Sequence, residues 1–345
     1  CDRYRHMSNF QILGQEAVLR PMLAAARQGA LTGCYLFEGP EGVGKHESAV
    51  MVAITAACEA DDPAERPCMG CQTCKTMRAG THPDLVEIGL DPSKRTPTIS
   101  VAQAREVIRV ARLHRYHARH RVFVVDPCDR LVPQAANALL KTLEEPTPGT
   151  TFILVTARAS SLLPTITSRS QRVRFRMVKA ELLSEWLAEQ GFNDPQRLAV
   201  LSGGRPTRAA ELSEGGLEEF DIATAELLEV ISGGPSALFK FTEGLAKTGQ
   251  GRAGWQPVVE RYLTVLETLL RDSAVLAMGF DESVVHERKV VERWSEALWP
   301  SGFERIQSEL LTTRKRIEAN VNARLVMEPL IACIATELGP SRLKH

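Results

Sequence analysis

Neither sign of charge dominates this 345-residue chain, in which Lys+Arg and Asp+Glu stand at 42 each. A net charge of zero excludes a global pull toward nucleic acid, so any such contact has to come from a local patch. No run of about 18 apolar residues occurs, which excludes a helical membrane span, and the N-terminus lacks a signal peptide's apolar stretch. These absences point to the cytosol and to no membrane partner. No internal repeat and no low-complexity segment is found. What remains is 44% hydrophobic and 24% charged residues, the profile of a globular protein with real cores. The length suggests two or three domains.

Residues 1–6, Cys-Asp-Arg-Tyr-Arg-His, precede Met7 and read as vector sequence ahead of a native start. Four of the eight cysteines, Cys58, Cys68, Cys71 and Cys74, fall within seventeen positions. In a cytosolic protein such clustering favours a metal over disulfides. Four thiolates at these spacings suit tetrahedral Zn²⁺ and leave no position for water or substrate, so the metal is expected to be structural.

The first half alternates apolar runs with helical patterns. Cys34–Glu38, Asp84–Ile88, Val122–Asp126, Phe152–Thr156 and Arg172–Phe175 read as strands, and stretches near 44–58, 100–117 and 133–145 as helices. This alternation predicts a parallel sheet with helices on both faces. After about residue 178 helical periodicity takes over, broken at Gly203–Pro206 and Ser232–Pro235. The expected division is an α/β domain over 7–178 with the cysteine module at 58–74, a small helical domain over 179–230, and a larger helical one over 231–345.

Gly39-Pro-Glu-Gly-Val-Gly-Lys45 follows a predicted strand and opens a predicted helix, the context of a Walker A phosphate loop. Gly39, Gly42 and Gly44 let backbone N–H groups converge on phosphate oxygens, and Lys45 supplies a cation. A working loop then needs Ser or Thr to ligate Mg²⁺. Here His46 follows, a nitrogen ligand that Mg²⁺ does not favour. The second signal agrees: Asp126 ends its strand as a Walker B Asp does, but Pro127 follows where a carboxylate would polarise the attacking water. Mg²⁺-dependent ATP hydrolysis by this chain alone is therefore not expected.

These features, with Ile12–Gln15, Tyr35–Pro40, Asn137–Pro146, Leu163–Arg169 and the pattern Asn320, Asn322, Leu325, Glu328, Leu330, resemble the delta-prime subunits of bacterial DNA polymerase III clamp loaders, members of the AAA+ class. The resemblance runs through nearly the whole chain. It implies an α/β P-loop NTPase domain of the AAA+ RecA-like kind with a zinc module, a small helical lid and an all-α collar. It further implies a stator within a heteropentameric clamp loader, itself part of a DNA polymerase holoenzyme. The partners would be gamma/tau and delta subunits and, through the assembly, the sliding clamp and primer-template DNA. Ser168-Arg169 matches the Ser-Arg-Cys motif, whose arginine acts catalytically in trans on a neighbour's nucleotide; Ser170 replaces the cysteine. Thr156 matches sensor 1, and Arg208 the lid's sensor-2 arginine, with Arg205 as its rival. Both would face the chain's own nucleotide, or be relics if that pocket is idle. Ile12–Gln15 would pack near an adenine.

Six arginines and three histidines between Arg105 and His120–Arg121 make a basic stretch. Arg105, Arg109 and Arg112 share a helical face, open to solvent, a subunit or phosphates. In the last region Trp255, Tyr262, Leu266, Leu269 and Leu270, and also Val321, Leu325 and Leu330, fall at helical spacing and read as core.

Overall fold

The computed structural model describes residues 12–91, 97–116, 118–247, 252–280, 287–319 and 321–339. Residues 1–6, His117 and Asn320 lie outside them. The chain divides into two compact units, 1–209 and 210–345. The segment 179–230, read from the sequence as one helical domain, is shared between them.

The first unit opens with α1 (Glu16–Arg27) and β1 (Gly33–Glu38), followed by α2 (Lys45–Ala57), α3 (Gln72–Arg78) and β2 (Leu85–Ile88). Next come α4 (Val101–Ala111), β3 (Arg121–Val125), α5 (Pro133–Glu144), β4 (Thr150–Thr156), α6 (Pro164–Thr167) and β5 (Gln171–Arg174). Three short helices, α7 (Ala180–Glu189), α8 (Pro195–Leu201) and α9 (Pro206–Glu211), follow. The five strands form one parallel sheet in the order β2-β3-β4-β1-β5. The interior strands β3 and β4 are buried at every position, as strands covered on both faces must be. Alternate residues feed opposite cores. Val122, Val124, Ile153 and Val155 pack with Leu19, Val52, Ile54 and Met77 on one face. Phe123, Phe152 and Leu154 pack with Val107, Leu139 and Leu143 on the other. Edge strand β5 is largely exposed and carries Arg172 and Arg174.

Helix α4 begins at a capping box formed by Ser100 and Gln103, which satisfies two backbone donors. It ends at Ala111, six residues short of the stretch expected from periodicity. The cause is a buried ion pair far away in sequence. Arg121 bonds Asp84 Oδ1 at 2.7–2.9 Å and donates to the carbonyls of Val110, Leu113 and His114. It thereby ties down the Val110 carbonyl, which also accepts from the Leu113 N–H, and the carbonyls of Leu113 and His114 just beyond the end of α4. Asp84 in turn accepts from the backbone N–H groups of Tyr116 and Ala118. Of the basic stretch, Arg121 is therefore a core residue, while Arg109 pairs with Glu106 and Arg119 with Asp61. His120 is buried against Thr151 Oγ1 at 2.9 Å. Burial, and then the nearby Arg115 charge, push its pKa down to about 4, so it is neutral.

The second unit is helical throughout its described residues. Its long elements are α10 (Leu217–Ser232), α11 (Gly234–Lys247), α12 (Arg252–Ala277), α13 (Arg288–Leu298), α14 (Ser301–Glu318) and α15 (Ala323–Leu338). Tyr262, Leu266, Leu269 and Leu270 are buried, as the spacing predicts, together with Val291, Trp294, Ile306, Val326 and Ile334. Leu325 departs from expectation at 59% exposed. On α15 the buried stripe runs through Val326, Met327 and Leu330, which turns Leu325 outward. No helix among the described residues is long and apolar enough to cross a membrane.

Candidate functional site

The phosphate loop joins the C-terminal end of β1 to α2. Gly39, Gly42 and Gly44 all have positive φ, at +148°, +77° and +87°. At Gly39 a side chain would meet the Phe175 carbonyl oxygen at 2.4 Å, so only glycine fits. Its N–H reaches the Thr156 carbonyl at 3.3 Å, tying the loop to the end of β4. Lys45 is folded inward: its Nζ donates to the carbonyls of Gly39 at 2.8 Å and Pro40 at 2.5 Å. Burial lowers its pKa, opposed by the charges of Asp126, Glu41, Glu47 and Asp129.

His46 sits where the loop's hydroxyl would otherwise face a metal. Its Nδ1 lies 2.9 Å from Asp126 Oδ2 and its Nε2 3.6 Å from Glu87 Oε1. Nδ1 is within hydrogen-bond range of Asp126 and Nε2 faces Glu87 at ion-pair distance, an arrangement that favours the imidazolium. Burial opposes that charge, but the hydrogen bonds and charges of Asp126 and Glu87 outweigh it and carry the pKa up to about 10. A Mg²⁺ ion does not fit this arrangement. It needs oxygen ligands in near-ideal octahedral geometry, and the Asp126 carboxylate is already engaged by a cationic ring. Pro127 follows with no carboxylate to offer.

Thr156 donates its hydroxyl to Asp129 Oδ1 at 2.8 Å and accepts from the Arg158 N–H at 2.9 Å. Arg158 pairs with the same Asp129. The Thr156 hydroxyl is thus directed at Asp129, and only its backbone touches the phosphate loop. Of Arg205 and Arg208, Arg205 approaches that loop. A Cβ on Gly42 would lie 3.4 Å from Arg205 Cβ, and the Thr207 N–H bonds the Gly42 carbonyl at 3.3 Å. Arg205 Nε is buried without a hydrogen-bond partner. Arg208 lies one turn on, in α9.

The turn that delivers Arg205 depends on Gly204, at φ +74°, where a side chain would meet the Val178 carbonyl oxygen at 2.3 Å. Gly203, at φ +61°, faces open space. Gly204→Ala is expected to destabilise the first unit by about 1–3 kcal/mol, and more than Gly203→Ala. Chemical denaturation of the two variants checks the order.

Beside the loop lies a small cavity of about 30 Å³ lined by Ile12, Leu13, Val43, Trp186, Pro206 and Thr207, among others. Trp186 is 6% exposed and its Nε1 has no partner. Gln15 fixes the entry of the N-terminal segment by bonding both the carbonyl and the N–H of Arg176.

Cys58 ends α2 and Cys71 caps α3, which carries Cys74. The sulfurs of Cys58, Cys68, Cys71 and Cys74 all lie within 4.8 Å of one another. The N–H groups of Cys68, Cys71 and Cys74 point at the sulfurs of Cys58, Cys68 and Cys71, each at 3.4 Å. Backbone N–H groups of Cys71 and Gly70 pull the Cys68 thiol down to about 6, toward the thiolate that a metal needs. The donor set fits one metal ion. His82 takes no part: it is buried, with Nδ1 accepting from the Asp84 N–H.

Arg169 follows α6. Its Nε lies 3.0 Å from Glu144 Oε2, and an Nη donates to the Thr165 carbonyl at 3.2 Å. Neither partner belongs to the phosphate loop. Ser168 donates to the Thr165 carbonyl and Ser170 to the Ile166 carbonyl. Two participants escaped sequence reasoning, Glu87 and Asp129. The only signal for Glu87 is a carboxylate inside an otherwise apolar strand. For Asp129 it is a second acid three residues after Asp126.

The family model described as "DNA polymerase III, delta subunit" matches residues 14–179. The chain is 29% identical over 323 residues to DNA polymerase III subunit delta' of Pseudomonas aeruginosa, covering 89% of this chain and 92% of that protein. It is 27% identical over 330 residues to subunit delta' of Bacillus subtilis, covering 92% and 95%. A similarity of 33% over 186 residues links it to DNA polymerase III subunit gamma/tau of Mycobacterium tuberculosis, covering 54% of this chain and 32% of that protein. With its parallel P-loop sheet, its four-cysteine cluster and its helical C-terminal unit, the chain belongs to the delta-prime family of DNA polymerase III clamp-loader subunits.

Proposed function

We propose that this chain is a stator-like clamp-loader subunit that does not hydrolyse ATP in its own pocket. It would work in the bacterial cytosol in a heteropentamer with gamma/tau and delta, supporting ATP-dependent loading of a sliding clamp onto primed DNA. The observation that carries this reading is the engagement of Asp126 by His46 at 2.9 Å. Metal ions hold and neutralise the β- and γ-phosphate oxygens in phosphoryl transfer, and here the position that would recruit one is taken. Pro127 removes the group that would orient water. Arg169, by contrast, remains at the surface and would act on nucleotide held by the adjacent subunit. The four cysteines would hold a structural Zn²⁺. Residues 179–230 and 231–345 would serve as lid and collar.

The direct test is ATP turnover by the isolated full chain with saturating Mg²⁺. No release of phosphate above the protein-free blank is expected. Turnover in the range of working ATPases, about 1 s⁻¹ or faster, would overturn the proposal.

A further inference from the structure

The four sulfurs of the cysteine cluster differ in how far solvent reaches them. Cys58 and Cys74 are 0% and 1% exposed and belong to the apolar core beneath α2. Cys71 is partly exposed, and Cys68 is exposed together with its neighbours Met69 and Gly70. We propose that Cys68 is a site of oxidation by hydroperoxides and that Cys71 resolves it, so that the cluster releases its metal when the two sulfurs join. This rests on the structural zinc site proposed above.

A cysteine that holds a metal is a thiolate, and the thiolate is the reactive form of the side chain. Burial shields such a group from a dissolved oxidant. Here it shields Cys58 and Cys74 and leaves Cys68 open. A sulfur oxidised in this way condenses with a second thiol when one is poised beside it. The cluster supplies that thiol, because all four sulfurs lie within 4.8 Å of one another. Joining two of them shortens their separation to about 2 Å. A partly exposed side chain makes that movement freely, whereas one packed in a dense core does not. Cys71 is therefore the partner: it lies three positions after Cys68, and its N–H points at Cys68 Sγ at 3.4 Å. Cys58 Sγ accepts from the Cys68 N–H at the same distance but is fixed in the core at the end of α2.

The chemistry takes two steps. The Cys68 thiolate attacks one peroxide oxygen, the O–O bond breaks, and hydroxide departs to leave a sulfenic acid. The Cys71 thiolate then attacks the Cys68 sulfur, the S–S bond forms, the S–O bond breaks, and a second hydroxide departs. The two sulfurs together lose two electrons, and the peroxide gains them. Cys58 and Cys74 remain as donors, too few to complete a tetrahedral shell.

The test treats the zinc-loaded full chain with hydrogen peroxide. Released zinc is followed with a chromophoric chelator, and disulfides are mapped by mass spectrometry. Release of about one zinc per chain should keep pace with a Cys68–Cys71 disulfide. Cys34 and Cys128, buried outside the cluster, should stay reduced, and dithiothreitol with added zinc should restore the starting state. Cys68→His keeps a fourth ligand in a Cys₃His shell and should slow release by roughly tenfold or more. Should that variant fail to hold zinc, the wild-type disulfide map decides the matter alone. Zinc that stays bound after peroxide overturns the inference, as does release with Cys58 or Cys74 in the disulfide or with no disulfide at all. Those results leave the zinc site standing, whereas a chain that carries no zinc before treatment removes the site and this inference together.

Discussion

Arg169→Ala is expected to lower ATP turnover at the adjacent subunit's site by about 10³-fold when this chain is assembled with gamma/tau and delta on primed DNA. The Arg169 guanidinium is held by Glu144 and by one carbonyl at the end of α6, with the Arg169 and Glu144 side chains 34% and 54% exposed. An ion pair at that exposure contributes about 0–1 kcal/mol. Release of the guanidinium to a developing γ-phosphate charge is therefore inexpensive. Two further variants separate this role from a structural one. Glu144→Gln removes the surface partner and should change turnover less than threefold. Arg169→Lys keeps the charge but loses the planar fork that engages two oxygens at once, so it should recover little. Nucleotide affinity of the neighbour should move far less than its turnover, because the arginine acts on charge that develops in the transition state. Unchanged single-turnover phosphate release in Arg169→Ala would defeat the trans-acting assignment.

How much of this could be read in the sequence depends on how far apart the interacting residues lie along the chain. The five strands were legible because buried parallel strands are near-continuous apolar runs, and Val122–Val125 or Phe152–Val155 allow no other reading at that length. The cysteine cluster was legible because its ligands are local in sequence. Helix α4 was over-extended because nothing between residues 112 and 117 announces that Asp84 and Arg121, 37 residues apart, meet there and close the helix. The surroundings of His46 were hidden for the same reason. Its replacement of a hydroxyl was visible, but Glu87 reaches it only once β2 and β3 lie side by side beyond β4. Periodicity likewise could not say that Leu325 faces out while Val326 faces in, because an apolar helix such as α15 offers more than one stripe. Arg205 and Arg208 were equivalent candidates by spacing. The close approach of Gly42 to Arg205 distinguishes them only in three dimensions.

Loss of the cysteine-held metal is expected to have the largest effect on stability. Cys58 and Cys74 are fully buried and belong to the same apolar cluster as Val52, Ile54 and Met77. A metal held there would link α3 to the C-terminal end of α2, the helix whose other end carries the phosphate loop. Where a metal supplies the whole folding energy of a small module it contributes about 10–16 kcal/mol. Here the sheet has its own core, so the cost of removal is smaller, on the order of a few kcal/mol, and falls on residues 58–78 and α2. Cys58→Ser should lower the denaturation midpoint and release the metal. Cys128→Ser, which changes a buried thiol outside the cluster, should leave the metal in place. Elemental analysis should find one zinc per wild-type chain. Hydrogen exchange should show loss of protection concentrated in α2 and α3 after chelation, with β3 and β4 retained. A zinc content well below one per chain, or uniform loss of protection across the sheet, would mean that the four sulfurs converge for a reason other than binding a structural zinc ion.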